Sequence, residues 1–162
     1  MRALIQRVVR SDVRIGDEIV GAIDGGLTVF LGVGDADTAE EAAVIARKVA
    51  TLRIFADDAG KINRSITEVG GAILLVSQFT LYADCRKGRR PSFVHGALPE
   101  VAEPLVSQVA SLLRAEGITV ATGRFGAEMI VTIVNDGPLT IWLDSAELRS
   151  GSAPPADGTE RP

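Results

Sequence analysis

Cysteine and histidine are nearly missing from this chain: Cys85 and His95 are the only examples of each in 162 residues. One cysteine excludes an internal disulfide and a cysteine-built metal cluster; one histidine excludes a histidine-rich metal centre and leaves only carboxylate sites formally open. Long apolar runs are also lacking. No stretch is long enough to cross a bilayer, and Arg2, Gln6, Arg7 and Arg10 interrupt the apolar N-terminal segment, unlike a signal peptide. The expectation is a cytoplasmic protein with no membrane partner. Aromatic residues are few, five Phe, one Tyr and one Trp, and being scattered through apolar segments most of them are expected in the core.

What is present indicates one globular domain, since 46% hydrophobic content over this length supplies a single adequate core. Residues 1–9 read as a strand with imperfect alternation. Residues 13–15 and 18–23 alternate around Gly16 and Asp17, as a hairpin with a tight turn does. LTVFLGV at 27–33 is almost wholly apolar and β-branched, which predicts a central buried strand. At 38–54 the period changes: Thr38 with Glu41 forms a capping box, and Ala42, Ile45, Val49 and Leu52 recur at helical spacing. Asp57, Asp58 and Gly60 lack the further ligands of a calcium loop and predict a solvated turn. A second helix is expected at 101–116, closed by Gly117, and strands at 118–122, 129–134 and 139–143. Residues 145–162, with three prolines and two glycines, bury too little to order and are expected to be mobile. The pattern predicts a mixed α/β fold of sheets covered by two helices, with residues 1–144 as the domain.

Three segments carry candidate chemistry. The apolar run that opens AILLVSQFTLYAD at 72–84 passes without a break into Ser77, Gln78 and Thr80, so a buried strand hands polar groups to a rim. The bland alternative is that the hydroxyls only terminate the strand by bonding nearby backbone. Arg86, Lys87, Arg89 and Arg90 place four cations within five residues of a chain whose net charge is -4. Asn135, Asp136, Gly137 and Pro138 sit between two apolar runs, where Gly-Pro is a backbone device.

These segments, as SQFTLYAD at 77–84, RRPSF at 89–93, GRFGAEM at 123–129 and NDGPLTIWL at 135–143, closely resemble the D-aminoacyl-tRNA deacylase (D-tyrosyl-tRNA deacylase-like) family. MRALIQRV at the start and LRIFADDAGKIN at 52–63 extend the resemblance to about residue 144. It implies a three-layer α/β/β fold, a homodimer and hydrolysis of D-aminoacyl-tRNA, with mischarged glycyl-tRNA as a further substrate. It requires no cofactor and no metal. Tyr82 departs from the family's wording, which has a small residue there, and its bulk is expected to alter pocket depth.

Without the family, the chemistry is short of side chains. Thr80 is the obvious hydroxyl, but a hydroxyl nucleophile needs a base, and His95 lies fifteen residues on with no visible orienting carboxylate. Cys85 beside Arg86 and Lys87 is a weaker candidate. The resemblance resolves this shortage: the ester of a tRNA terminal adenosine carries a vicinal ribose hydroxyl that assists its own hydrolysis. Backbone N–H groups near Phe79 and Thr80 then stabilise the oxyanion, with Ser77, Gln78 and Met129 shaping the substrate pocket. Gly137 and Pro138 become a cis dipeptide that enters the partner subunit's site and rejects L-aminoacyl esters. The four cations hold acceptor-stem phosphates. A non-catalytic RNA-binding module and a general esterase with Thr80 as nucleophile are the alternatives. Because neither side chain has a part in the implied chemistry, His95→Ala and Cys85→Ala are both expected to remain active as deacylases; loss of activity in either, with folding intact, would restore a nucleophile-base mechanism.

Overall fold

The computed structural model describes residues 1–150. Its elements run β1 (Arg2–Ile15), β2 (Glu18–Ile23), β3 (Gly26–Gly32), α1 (Ala39–Thr51), β4 (Phe55–Ala56), β5 (Ile62–Arg64), α2 (Ile66–Val69), β6 (Ala72–Ser77), a 3-10 turn (Phe79–Tyr82), α3 (Pro99–Ala115), β7 (Thr119–Thr122), β8 (Ile130–Asp144) and α4 (Ser145–Arg149). The fold is mixed α/β, with a six-stranded sheet in the order β2-β1-β3-β6-β7 and β8 on the other edge of β1. The apolar runs at 27–33 and 72–77 become the parallel pair β3 and β6 at the middle of the sheet, as their lack of alternation predicts.

One edge of β1 serves two strands in succession. Arg2 to Val8 pair with β3, and Ser11 to Ile15 pair with β2 around the Gly16 turn. Turning β1 in this way folds β2 towards β6 and β7: a Cβ on Gly21 would lie 2.5 Å from Thr122 O. The core is accordingly double. One cluster joins α1 and α3 to the sheet through Ile45, Val49, Val109, Leu113, Leu27, Leu75 and Ile73. The other lies on the opposite face, where Leu74 and Val76 meet Val13 and Ile23. No aromatic side chain belongs to the fully buried core, contrary to expectation. Close-packed aliphatic side chains fill both layers; Phe30, Phe55 and Phe125 pack against them half-buried, and Phe79, Phe93 and Trp142 are exposed.

Three expectations change. The strands expected at 129–134 and 139–143 are one strand, because both halves pair with the same long β1. The segment between them is therefore a bulge, not a turn. The expected pair of helices is joined by the short α2 and α4. Finally, residues 145–149 of the tail are ordered as α4, where Asp144 caps the helix by accepting from Ala146 N–H at 3.0 Å. Ser145 is buried, donating its N–H to Met1 O at 2.8 Å and accepting from the Met1 ammonium at 2.6 Å. Composition averaged over eighteen residues hid this anchor; residues 151–162 lie outside the described residues. No helix among the described residues is long and apolar enough to cross a membrane.

The capping box of α1 forms as predicted. Glu41 accepts from the Thr38 hydroxyl at 2.7 Å and from Thr38 N–H at 2.9 Å. The hydroxyl bond first, then the amide bond and Arg149, hold the Glu41 carboxyl down from 4.5 to about 2. A depressed carboxylate stabilises the fold above its ordinary pKa and loses that contribution as pH falls towards its folded value. Urea midpoints measured between pH 4.5 and 2 are therefore expected to fall less steeply in Glu41→Gln than in the parent chain; identical slopes would remove Glu41 as a source.

Candidate functional site

Strand β6 is buried from Ile73 to Val76 and emerges at Ser77. The parallel ladder then extends one residue further, as Gln78 N–H donates to Leu31 O at 2.7 Å. This last bond fixes where the chain leaves the sheet. The 3-10 turn begins at once, and its first hydrogen bond is donated by Leu81 to Gln78 O at 3.2 Å. The amides of Phe79 and Thr80 lie ahead of that bond, and among the described residues neither donates to another group. Two consecutive N–H donors are thus held at the carboxyl end of a rigid buried strand.

A cavity lies on each side of this rim. The first, about 330 Å³, is bounded by Ser77, Gln78 and Phe79, by Phe93 and Phe125, and by Ala102 and Val106 of α3. The second, about 260 Å³, has Val76, Met129 and Val131 as its other wall and shares Ser77, Gln78, Phe79 and Gly126 with the first. Phe79 and Phe93 meet edge to face with centroids 5.0 Å apart. Both rings are exposed, Phe79 by 58%. Exposed aromatic rings beside free amide donors suit a planar ligand with a polar linkage.

The expected residues divide into groups. Ser77, Gln78, Phe79 and Met129 are brought together around the rim. Thr80 adjoins them, but its hydroxyl accepts from the Gln78 side-chain amide and has no other hydrogen-bond partner among the described residues. No base reaches it, which disfavours the nucleophile reading. Tyr82 does not line either cavity. Its ring sits against Gly34 and beneath the Arg2 guanidinium, 4.4 Å away, and its hydroxyl donates to Asp37 at 3.1 Å. Burial, and then the Asp37 charge, raise its pKa. The departure from the family's wording therefore falls on the far side of the turn.

The basic segment forms a separate loop, closed where Asp84 and Ser92 exchange backbone hydrogen bonds of 2.7 and 2.9 Å. Arg86 grips the Asp84 carboxylate with both Nε and Nη2 and holds that carboxyl well below its usual range. Lys87, Arg89 and Arg90 are exposed, and among the described residues none of the three has an ion-pair partner. The loop leads directly into Phe93 at the first cavity.

Gly137 and Pro138, joined by a cis peptide bond, lie away from this chain's own cavities. They fall between the pairings of Gln6 with Thr140 and Val8 with Asn135, whereas Ser77 is level with Leu31 and hence Ala3. Four residues of β1 separate the two levels, about 13 Å along the strand. The bulge is tied at its base by Asn135, whose side-chain amide donates to Arg7 O at 2.8 Å and Leu139 O at 3.2 Å. Arg7 sits underneath: Nη1 donates to Ile54 O at 2.6 Å, and Nε pairs by charge with Asp136 at 2.8 Å without an aligned hydrogen bond.

Sequence reasoning left Phe93, Phe125 and Gly126 unassigned, and with them Arg7 and Asn135. The first three stood inside RRPSF and GRFGAEM. Arg7 stood inside MRALIQRV, but nothing in that stretch showed what it would hold, because Ile54 and Asp136 are distant in sequence.

The rim thus brings together, in a mixed α/β protein, two free amide donors, two cavities and a hydroxyl that no base reaches. Solved structures share this fold: one titled c-Myc DNA Unwinding Element Binding Protein is 39% identical, with a TM-score of 0.84 over 89% of this chain and 98% of that one. Another, titled as a probable eukaryotic D-amino acid tRNA deacylase, is 20% identical with a TM-score of 0.75, covers 88% and 97% of the two chains, and supports the fold alone. Curated proteins named D-aminoacyl-tRNA deacylase are similar along the sequence. That of Roseiflexus sp. (strain RS-1) is 58% identical over 92% of this chain and 96% of its own. That of Chloroflexus aurantiacus is 59% identical over 92% and 93%. Residues 4–144 match the family described as D-Tyr-tRNA(Tyr) deacylase, and the chain belongs to that family.

Arg7 is 14% exposed and Asp136 49%, and this difference decides their worth. Arg7→Ala leaves Ile54 O without its donor and is expected to lower stability by about 1–3 kcal/mol. Asp136→Asn breaks only a half-exposed ion pair and should cost less than about 1 kcal/mol. Urea denaturation of the two variants checks the order; equal losses would contradict it.

Proposed function

We propose that this protein hydrolyses the ester bond of D-aminoacyl-tRNA, releasing D-amino acid and free tRNA, and that it also clears mischarged glycyl-tRNA. The observation that carries the reading is the pair of unused amides at Phe79 and Thr80 between two cavities. In this reading the aromatic-walled cavity takes the terminal adenosine and the cavity beside Met129 takes the aminoacyl group, which sets the ester carbonyl over the amides. Water attacks the carbonyl carbon, the bond to the ribose oxygen breaks, and that oxygen takes a proton with help from the vicinal hydroxyl. The two N–H groups stabilise the oxyanion formed on the way. Ser77, Gln78 and the Thr80 hydroxyl shape the pocket.

Chirality is read by exclusion in this proposal: Gly137 and Pro138 of a second copy enter the cleft and leave no room for an L side chain. The separation of this chain's own Gly137 from its cavities supports a contribution across a homodimer. Exposed Val9, Ile130, Val134 and Trp142 on the β1 and β8 ribbon supply apolar surface for such a contact. Glycine, having no side chain, escapes the filter. The three-layer reading of the fold is supported by the two core clusters on opposite faces of β6. Lys87, Arg89 and Arg90, with Arg86 braced on Asp84, are assigned to acceptor-stem phosphates, and the protein to the cytoplasm.

Turnover of D-aminoacyl-tRNA measured beside a plain D-amino-acid ester separates the readings: a general esterase cleaves both, an RNA-binding module neither. Thr80→Ala is expected to lower kcat by about tenfold or less, the worth of one ordinary hydrogen bond. A substrate lacking the vicinal ribose hydroxyl should react slower by about 100-fold or more. An acyl group trapped on Thr80 would overturn the mechanism. Replacing Arg89 and Arg90 by Gln should weaken tRNA binding and flatten its salt dependence; an unchanged slope would remove the loop from the interface.

A further inference from the structure

Residues 123–129, GRFGAEM, connect β7 to β8 by looping around the rim. Gly123 N–H donates to Leu75 O at 3.2 Å, so the loop leaves from the flank of β6. Ala127 N–H closes a turn onto Arg124 O at 3.2 Å, Phe125 enters the first cavity and Met129 walls the second. At the base of the loop the two ends touch. A Cβ built on Gly123 would lie 2.6 Å from Met129 Sδ, 3.6 Å from its Cε and 3.7 Å from Val13 Cγ1. Gly123 is not among the glycines with positive φ, so its backbone admits any residue. The requirement for glycine here is one of space, and Met129 takes up that space.

We infer that Gly123 is a positioning residue for the reaction proposed above: its missing side chain gives Met129 a resting place and so keeps the aminoacyl cavity open. The inference rests on that functional reading and adds a residue that acts only through another. Behind Met129 the way is closed, because Val13 is fully buried and packs with Val8, Ile23, Leu74 and Val76. In front lies the cavity of about 260 Å³ between Met129, Val76, Phe79 and Val131. A methyl group at position 123 therefore drives the thioether forward into the cavity. Met129 is half-buried and flexible at three torsions, so it yields more readily than the backbone beneath it.

The experiment is a double-mutant cycle on the full-length enzyme with D-aminoacyl-tRNA as substrate, read as KM and kcat separately. Gly123→Ala is expected to keep its melting temperature and to raise KM by about 10- to 100-fold, with a smaller effect on kcat. Met129→Ala opens the cavity and should lose less. The double variant should match Met129→Ala alone, because with the thioether gone the added methyl keeps only the ordinary contact with Val13 Cγ1 at 3.7 Å. Losses that multiply, or an unchanged KM in Gly123→Ala, would overturn the inference. If Gly123→Ala does not fold, the Met129→Ala background decides. A folded, active double variant supports the coupling, and one as defective as Gly123→Ala refutes it. A parent enzyme inactive on D-aminoacyl-tRNA would instead sink the functional reading itself, an outcome distinct from a normal parent beside an unaltered Gly123→Ala.

Discussion

The parallel pairing of β3 with β6 is the constraint on which the site depends. It runs from Gly26 opposite Ala72 to Leu31 opposite Ser77, and the Gln78 amide on Leu31 O ends it. Every side chain from Ile73 to Val76 is buried, two towards the helices and two towards β2, so β6 cannot slip by a residue without turning apolar groups into the wrong layer. That fixed register delivers the Phe79 and Thr80 amides to one spot. In the proposed reaction such preorganised donors need no catalytic side chain, which fits a chain with one histidine and one exposed cysteine.

A second organising contact lies across the molecule at Asp37. Its carboxylate takes the Met1 ammonium, the Gly34 N–H at 2.6 Å and the Tyr82 hydroxyl. Ser145 completes the cluster, so the residue that precedes β1, the turn after β3, the end of the 3-10 turn and the start of α4 meet at one polar centre. Burial makes this economical only because each group is partnered. The same cluster holds the Tyr82 ring against Gly34 and Arg2 and gives the end of the 3-10 turn a rigid support.

The bulge in β8 completes the arrangement. Register between β1 and β8 shifts on both sides of Val8, so that Asp136, Gly137 and Pro138 stand clear of the ladder while Asn135 and Leu139 remain tied to each other. Bulges re-aim a strand without ending it. Here the strand continues to Asp144 and closes the domain against Met1.

Much of this was legible in the sequence because it is governed by local rules. The capping box at Thr38, the hairpin at Gly16, the uninterrupted apolar run of β6 and the polar residues at its end each follow from spacing over a few positions. The family resemblance, carried by short motifs in order, pointed to Ser77 through Thr80 and to Met129. What tertiary structure alone decided is how distant segments meet. Whether the runs at 129–134 and 139–143 are two strands or one depends on β1, more than a hundred residues away. Whether Phe79 and Phe93 are core or rim depends on where α3 stops covering the sheet. The ordering of Ser145 depends on Met1, and the need for glycine at 123 depends on where the Met129 sulfur comes to rest. Periodicity and capping are properties of neighbouring residues and can be read in one dimension; register, cover and contact across the chain exist only once the sheet has closed on its helices.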